Sequence, residues 1–380
     1  MSFIRKKLML ISVLAFSVLL FSGCDFKAMF GDEDESVSDA ISKASNQLNG
    51  NYFLLEVHLE DGSFDLIQDL NFDGKGKLSY DTCDIISGPD CSGSMNYLVS
   101  NGVFTVSSSE ANLGYASSDG SFMVHTDEDG KLRFAVELDS VAPGTSVEGV
   151  YQGVGFFNGS DSDSTGNDMR LEAHDITNLT FANGDFALTL GAGEESCSVN
   201  GSYSFKDDSN GEFKIDITNN GCDDEPNGDS PEIVGAVSRD GMYVLIASLD
   251  SDKKVDGIIV AARSDDSDYD ISGSTFYGGI AVGAYTENGD TWSVDMTADA
   301  VTLAFNDDTV HVKHHGPWNN EEDQVAVSYT NSDGELSVAD PAGGNLSGRV
   351  APGGKFLLLH KNTVTGDSEQ EAILGVFIKQ

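Results

Sequence analysis

The sequence predicts an all-β protein built from three tandem antiparallel meander repeats. Three observations carry this. The stretch GYASSDGSF, Gly114 to Phe122, returns as GAVSRDGMY from Gly235 to Tyr243 and as GRVAPGGKF from Gly348 to Phe356. Apolar residues alternate with polar ones in Glu212 to Ile217 and in Leu132 to Leu138, the period of a half-buried strand. After Gly50 no convincing amphipathic helical pattern is found.

In chain order, Arg5, Lys6 and Lys7 precede an apolar run from Leu8 to Phe21, then Ser22, Gly23 and Cys24. This is the pattern of an export signal, and its 14 apolar residues fall short of the roughly 20 that a spanning helix needs. Leu20-Phe21-Ser22-Gly23-Cys24 resembles the lipobox of bacterial lipoproteins cleaved by signal peptidase II, with Phe21 where that family most often has Leu. The resemblance covers residues 1–24. It implies that residues 1–23 are removed and that Cys24 carries acyl chains such as palmitate. The expected location is therefore the cell envelope, at the periplasmic face or the cell surface, with the membrane as partner through a lipid anchor. By resemblance to enterobacterial lipoproteins, Asp25 argues for inner-membrane retention, but acidic tethers also accompany surface export, so the leaflet stays open.

Residues 24–49 contain Gly31-Asp32-Glu33-Asp34-Glu35-Ser36 and read as a disordered acidic tether. The whole chain has 21 Lys+Arg against 63 Asp+Glu. Without Arg5, Lys6 and Lys7 the mature part keeps 18 bases, a net charge of −45. Nucleic acid is excluded as a partner on this ground, since its phosphates would be repelled.

The repeats run over 50–139, 149–263 and 273–380. Each opens on a glycine followed by an aromatic: Gly50 with Tyr52, Gly149 with Tyr151, Gly273 with Phe276. Each carries a central tyrosine, Tyr97, Tyr203 or Tyr329, and a closing apolar strand, Leu132–Val136, Ile258–Ala262 or Ile373–Phe377. Asp-Gly and Asn-Gly pairs such as Asp119-Gly120 and Asn183-Gly184 mark hairpin turns. Tyr243 to Ala247 and Phe356 to Leu359 are apolar on both faces, so they require cover on both sides. Stacked blades provide such cover, and half-repeats of about 50 residues predict a six-bladed β-propeller. The competing arrangement is three small up-and-down β-barrels. The repeats resemble those of uncharacterised secreted bacterial lipoproteins, from which no function transfers.

Four further cysteines, Cys83, Cys91, Cys197 and Cys222, suit an oxidising compartment and predict two disulfides. Nearest-neighbour pairing joins Cys83 to Cys91 and Cys197 to Cys222. Cys91 stands six residues before Tyr97, and Cys197 six before Tyr203, which supports the repeat register.

Among candidate sites, Asp161, Asp163, Thr165, Gly166 and Glu172 match the spacing of an EF-hand calcium loop, which resembles that family without its flanking helices. Calcium is the expected cofactor if this loop binds one; the alternative is an acidic hairpin. Asp69 to Gly74 opens a second such pattern, read as a hairpin. His311, His314 and His315 cluster beside Trp318, either as a metal or sugar site or as an exposed hairpin. No GxSxG, HExxH, P-loop or GxGxxG occurs, which argues against the chemistries those motifs serve. The reading is a non-catalytic, lipid-anchored envelope protein displaying an acidic β body for binding or scaffolding. The alternative is an extracellular glycan or cell-wall hydrolase with paired carboxylates in a central cleft.

Overall fold

The computed structural model describes residues 48–58, 63–80, 82–84, 93–100, 102–106, 113–126, 131–138, 147–160, 169–191, 196–206, 211–222, 232–250, 254–264, 269–288, 291–314, 324–332, 334–340, 344–351, 354–364 and 369–379. Among these, every regular element is a β-strand.

Barrel 1 uses β1 (Asn49–His58), β2 (Phe64–Asp73), β3 (Lys77–Tyr80), β4 (Thr82–Asp84), β5 (Gly93–Ser100), β6 (Val103–Val106), β7 (Leu113–Ala116), β8 (Phe122–Thr126) and β9 (Lys131–Glu137). Neighbours pair antiparallel, β3 and β4 share one place beside β2, and β9 returns to β1 from Tyr52↔Glu137 to His58↔Lys131. That last pairing closes the ring.

Barrel 2 uses β10 (Gly149–Ser160), β11 (Met169–Ala182), β12 (Asp185–Leu190), β13 (Cys197–Phe205), β14 (Glu212–Asn220), β15 (Glu232–Val237), β16 (Tyr243–Leu249) and β17 (Val255–Arg263), closed by β10 on β17. Barrel 3 uses β18 (Thr275–Asn288), β19 (Thr291–Asn306), β20 (Thr309–His314), β21 (Gln324–Ser332), β22 (Glu335–Ala339), β23 (Asn345–Val350), β24 (Phe356–Val364) and β25 (Glu369–Lys379), closed by β18 on β25. Barrels 1 and 2 belong to one hydrogen-bonded sheet through the bridge Val255↔Phe64, while barrel 3 is a sheet of its own.

The strands thus close into barrels, and the propeller expectation is corrected. Its premise, that doubly apolar strands need two covered faces, holds; the second cover differs. In β16, Val244 and Ile246 face the lumen of barrel 2, while Tyr243, Leu245 and Ala247 join a core shared by all three barrels. That core collects the outer faces of the closing strands, including Phe53, Phe134, Val260, Leu358 and Val376. Each such side chain contributes about 1.5–3 kcal/mol by leaving water.

At the centre stand the closing aromatics of the three repeated stretches. Phe122, Tyr243 and Phe356 form a triangle with ring centroids 5.0, 4.9 and 5.0 Å apart. Around it the barrels form a head-to-tail ring within one chain: β7 and β8 lie on β18, β15 and β16 on β9, and β24 on β10 and β11.

Each lumen is filled by an equivalent aromatic set. Tyr52, Phe72 and Tyr97 pack in barrel 1, Tyr151, Phe181 and Tyr203 in barrel 2, and Phe276, Phe305 and Tyr329 in barrel 3. The repeated stretch itself is a hairpin turn. The amides of Ser117, Ser238 and Ala351 donate to the carbonyls of Phe122, Tyr243 and Phe356 at 2.9, 2.8 and 2.8 Å. Gly120, Gly241 and Gly354 take φ of 75°, 72° and 62°, the left-handed region that a side chain disfavours. The first two turns add Ser117 Oγ to Asp119 and Ser238 Oγ to Asp240, both at 2.6 Å. Ala351 has no hydroxyl, so copy three gives up the serine bond while keeping its backbone bonds.

Candidate functional site

A hydrolase with paired carboxylates would need an open cleft at the axis of the molecule. The central cleft expected for a hydrolase is occupied by the rings of Phe122, Tyr243 and Phe356. Among the described residues, aromatic and aliphatic side chains pack together inside each lumen. Among the described residues no group of three or more His, Cys, Asp or Glu side chains could hold a metal ion.

Buried charges are not confined to one barrel, since Lys361 pairs with Asp340 in barrel 3, but three polar side chains meet in barrel 1. Its lumen holds a buried polar cluster formed by Glu56 of β1, His125 of β8 and Arg133 of β9. Strand pairing sets these against Gly155, Ile246 and Ile259 in barrel 2, and Ile280, Leu359 and Gly375 in barrel 3. Arg133 Nε and Lys131 Nζ both bond the Glu56 carboxylate, the latter at 3.1 Å. Arg133 Nη1 lies 3.0 Å from His125 Nδ1. A guanidinium can only donate, so Nδ1 accepts and the imidazole proton sits on Nε2, which has no hydrogen-bond partner. Burial, reinforced by the Arg133 charge and opposed by Glu56, pushes the His125 pKa down to about 3. The imidazole is therefore neutral at physiological pH and unsuited to general acid–base work there.

Asp161, Asp163 and Thr165 lie outside the described residues; Glu172 belongs to β11, paired with Phe157. The pattern at Asp69–Gly74 is a hairpin. Asp73 Oδ1 accepts from the amides of Lys75 and Lys77 at 2.7 and 2.9 Å. Those amides outweigh the slight burial and lower the Asp73 pKa. Cys197 and Cys222 form a disulfide across a separation of 25 residues. Cys91 lies outside the described residues, so the Cys83 pairing does as well. His311 and His314 sit on β20 opposite Ala304 and Val301, while His315 and Trp318 lie outside the described residues.

What the fold does organise is the two ends of the barrels. At one end lie the turns 74–76, 117–121, 183–184, 238–242, 307–308 and 351–355, together with Leu48, whose carbonyl accepts from Tyr97 Oη at 2.7 Å. At the other end lie the strand ends Asp84, Ser160, Asn220 and His314, which precede the longest connections of the sequence, and the Cys197–Cys222 disulfide. The same ends lie together across the molecule. The aromatic triangle joins all three barrels near the first end, and Val255↔Phe64 joins barrels 1 and 2 at the other.

Sequence reasoning did not single out Glu56, His125 or Arg133. Comparing the closing strands position by position finds one of them, since Arg133 matches Ile259 and Gly375. The other two sit on strands remote from it in sequence.

No family model matches the chain, and no curated protein does. Among solved structures, transferrin binding protein B from serogroup B Neisseria meningitidis aligns at 11% identity and TM-score 0.30, over 84% of this chain and 66% of that one. A mutant of transferrin binding protein B from Haemophilus parasuis aligns at 10% identity and TM-score 0.32, over 87% and 75%. A protein of unknown function from Nostoc punctiforme aligns at 13% identity and TM-score 0.22, over 61% and 96%. At such low scores and identities the likeness carries no ligand over to this chain.

Proposed function

We propose that the protein is a lipid-anchored, non-catalytic binding body of the cell envelope that presents the long-loop end of its barrels to a macromolecular partner. The observation that carries this reading is the separation of the two ends. Leu48, the first described residue, stands at the short-turn end, so a lipid anchor at Cys24 would join the body through that side. On that reading the strand ends that carry the connections varying most between repeats, Ser160 and His314 among them, lie opposite the anchored side. Loops held by a rigid scaffold are the usual carriers of recognition. The filled lumens and axis leave the outer surface as the place for binding.

Globomycin treatment of producing cells tests the anchor: the precursor accumulates uncleaved if Cys24 is lipidated, and normal processing would sink that part. For the binding face, a photo-reactive amino acid is placed at Ser164 or Asn319 and, as controls, at Ser118 or Asp307. Irradiation of intact cells should yield adducts from the first pair. Adducts confined to the second pair would place the partner at the wrong end.

A further inference from the structure

The three joints of the ring use equivalent positions with different chemistry. The residue after the first glycine of the repeated stretch is Tyr115, Ala236 or Arg349, and the fourth residue past its closing aromatic is Thr126, Ala247 or His360. Where barrel 2 meets barrel 1, Ala236 and Ala247 lie in the apolar core with Phe53 and Leu66. Where barrel 1 meets barrel 3, Tyr115 lies against Tyr277 with centroids 5.4 Å apart, and Thr126 crowds Gly279, where a Cβ would come within 3.0 Å of its methyl.

At the edge of the barrel 2–barrel 1 joint Arg239 Nη1 pairs with Glu137 at 3.0 Å, but where barrel 3 meets barrel 2 the equivalent positions themselves are polar. Arg349 Nη1 donates to Gln152 Oε1 at 3.2 Å, and Arg349 Nε and His360 Nε2 stand 3.8 and 3.9 Å from the same Asp175 oxygen. Arg349 Nε is buried without a hydrogen bond. Glu335 reaches the outer side of the guanidinium at 3.4 Å, and His174 adds its field from β11. Among the described residues no backbone bridge like the one between barrels 1 and 2 crosses this joint.

We propose that the contact between barrel 3 and barrel 2 is a pH-sensitive joint that loosens on acidification while the other two joints hold. Protonating His360 places a second half-buried cation beside Arg349, with Asp175 to serve both. Burial lowers the His360 pKa below its ordinary value; Asp175 opposes the shift, and Arg349 and His174 add to it. A lowered histidine pKa means that the docked state favours the neutral ring. Its contribution is full above the ordinary histidine pKa and is lost as pH falls toward the docked value. His125, with a pKa of about 3, stays neutral through that window.

Amide hydrogen exchange on the full chain at about pH 7 and about pH 5, corrected for intrinsic rates, tests the proposal. Peptides covering β11 and β24 should exchange about threefold faster at the lower pH, with β1, β9 and β16 unchanged. His360→Ala, which copies Ala247, should abolish the acceleration, and His360→Gln serves the same purpose if the alanine variant folds poorly. Acceleration that persists in the variants, spreads equally over all three joints, or is absent from the wild type would overturn the proposal.

Discussion

The rings of Phe122 and Phe356, which hold the same place in the first and third repeats, meet edge to face with centroids 4.9 Å apart and planes at 82°. Together with Tyr243 they turn three copies of a turn motif into the axis of the molecule. The repeated stretch is therefore more than a hairpin signal, because its last residue is where the copies touch.

Removing one ring leaves a cavity at the junction of three barrels. Phe356→Ala is expected to cost about 3–5 kcal/mol, read from urea denaturation. Because Phe122 contacts the same ring, the Phe122→Ala and Phe356→Ala pair should cost less than the sum of the singles. Strict additivity would show that the triangle is not a packing unit.

Tyr52 Oη donates to the Gly120 carbonyl at 2.8 Å, and Tyr151 Oη to the Gly241 carbonyl at 2.9 Å, each tying the first strand of a barrel to its signature turn. Tyr52→Phe and Tyr151→Phe should each destabilise by about 1 kcal/mol. Phe276, at the matching place in barrel 3, has no hydroxyl, so Phe276→Leu should lose packing but no such hydrogen bond.

The buried charges of barrel 1 depend on one another. Glu56→Ala strands Arg133 in the lumen and should cost about 3–5 kcal/mol, whereas Glu56→Ala with Arg133→Met should recover most of that loss. Equal stability of the single and double variants by thermal denaturation would contradict the pairing.

The Cys197–Cys222 bridge closes the β13–β14 hairpin at the long-loop end. In the chain-entropy model such a loop is worth about 3.5 kcal/mol, so reduction should lower the melting temperature. Hydrogen exchange should place the loss in β13 and β14 and leave barrel 3 unchanged.

Much of the fold was legible because the repeats check one another. The Cys197 spacing to Tyr203, the glycine-aromatic openings and the period-two strands all describe local chemistry. Where local chemistry loses its phase, the reading slipped. Ile373 to Phe377 matches Leu132 to Val136 by composition, but Phe122↔Val136 and Phe356↔Ile378 show that the equivalent run is Leu374–Ile378. A strand apolar on both faces has no alternation to fix its register. The candidate site was less legible still, since Glu56, His125 and Arg133 come together through pairings of β1 with β9 and β8 with β9.

The sequence by itself determined that the chain is all-β, threefold repeated and strongly acidic, because turn residues, alternation and charge are written position by position. Only the tertiary structure decided that the strands close into barrels, that Phe122, Tyr243 and Phe356 share one axis, and that Arg349, Asp175 and His360 meet at one joint. The physical reason is that a second apolar face says a strand must be covered but not by what; that depends on contacts between segments far apart in the chain.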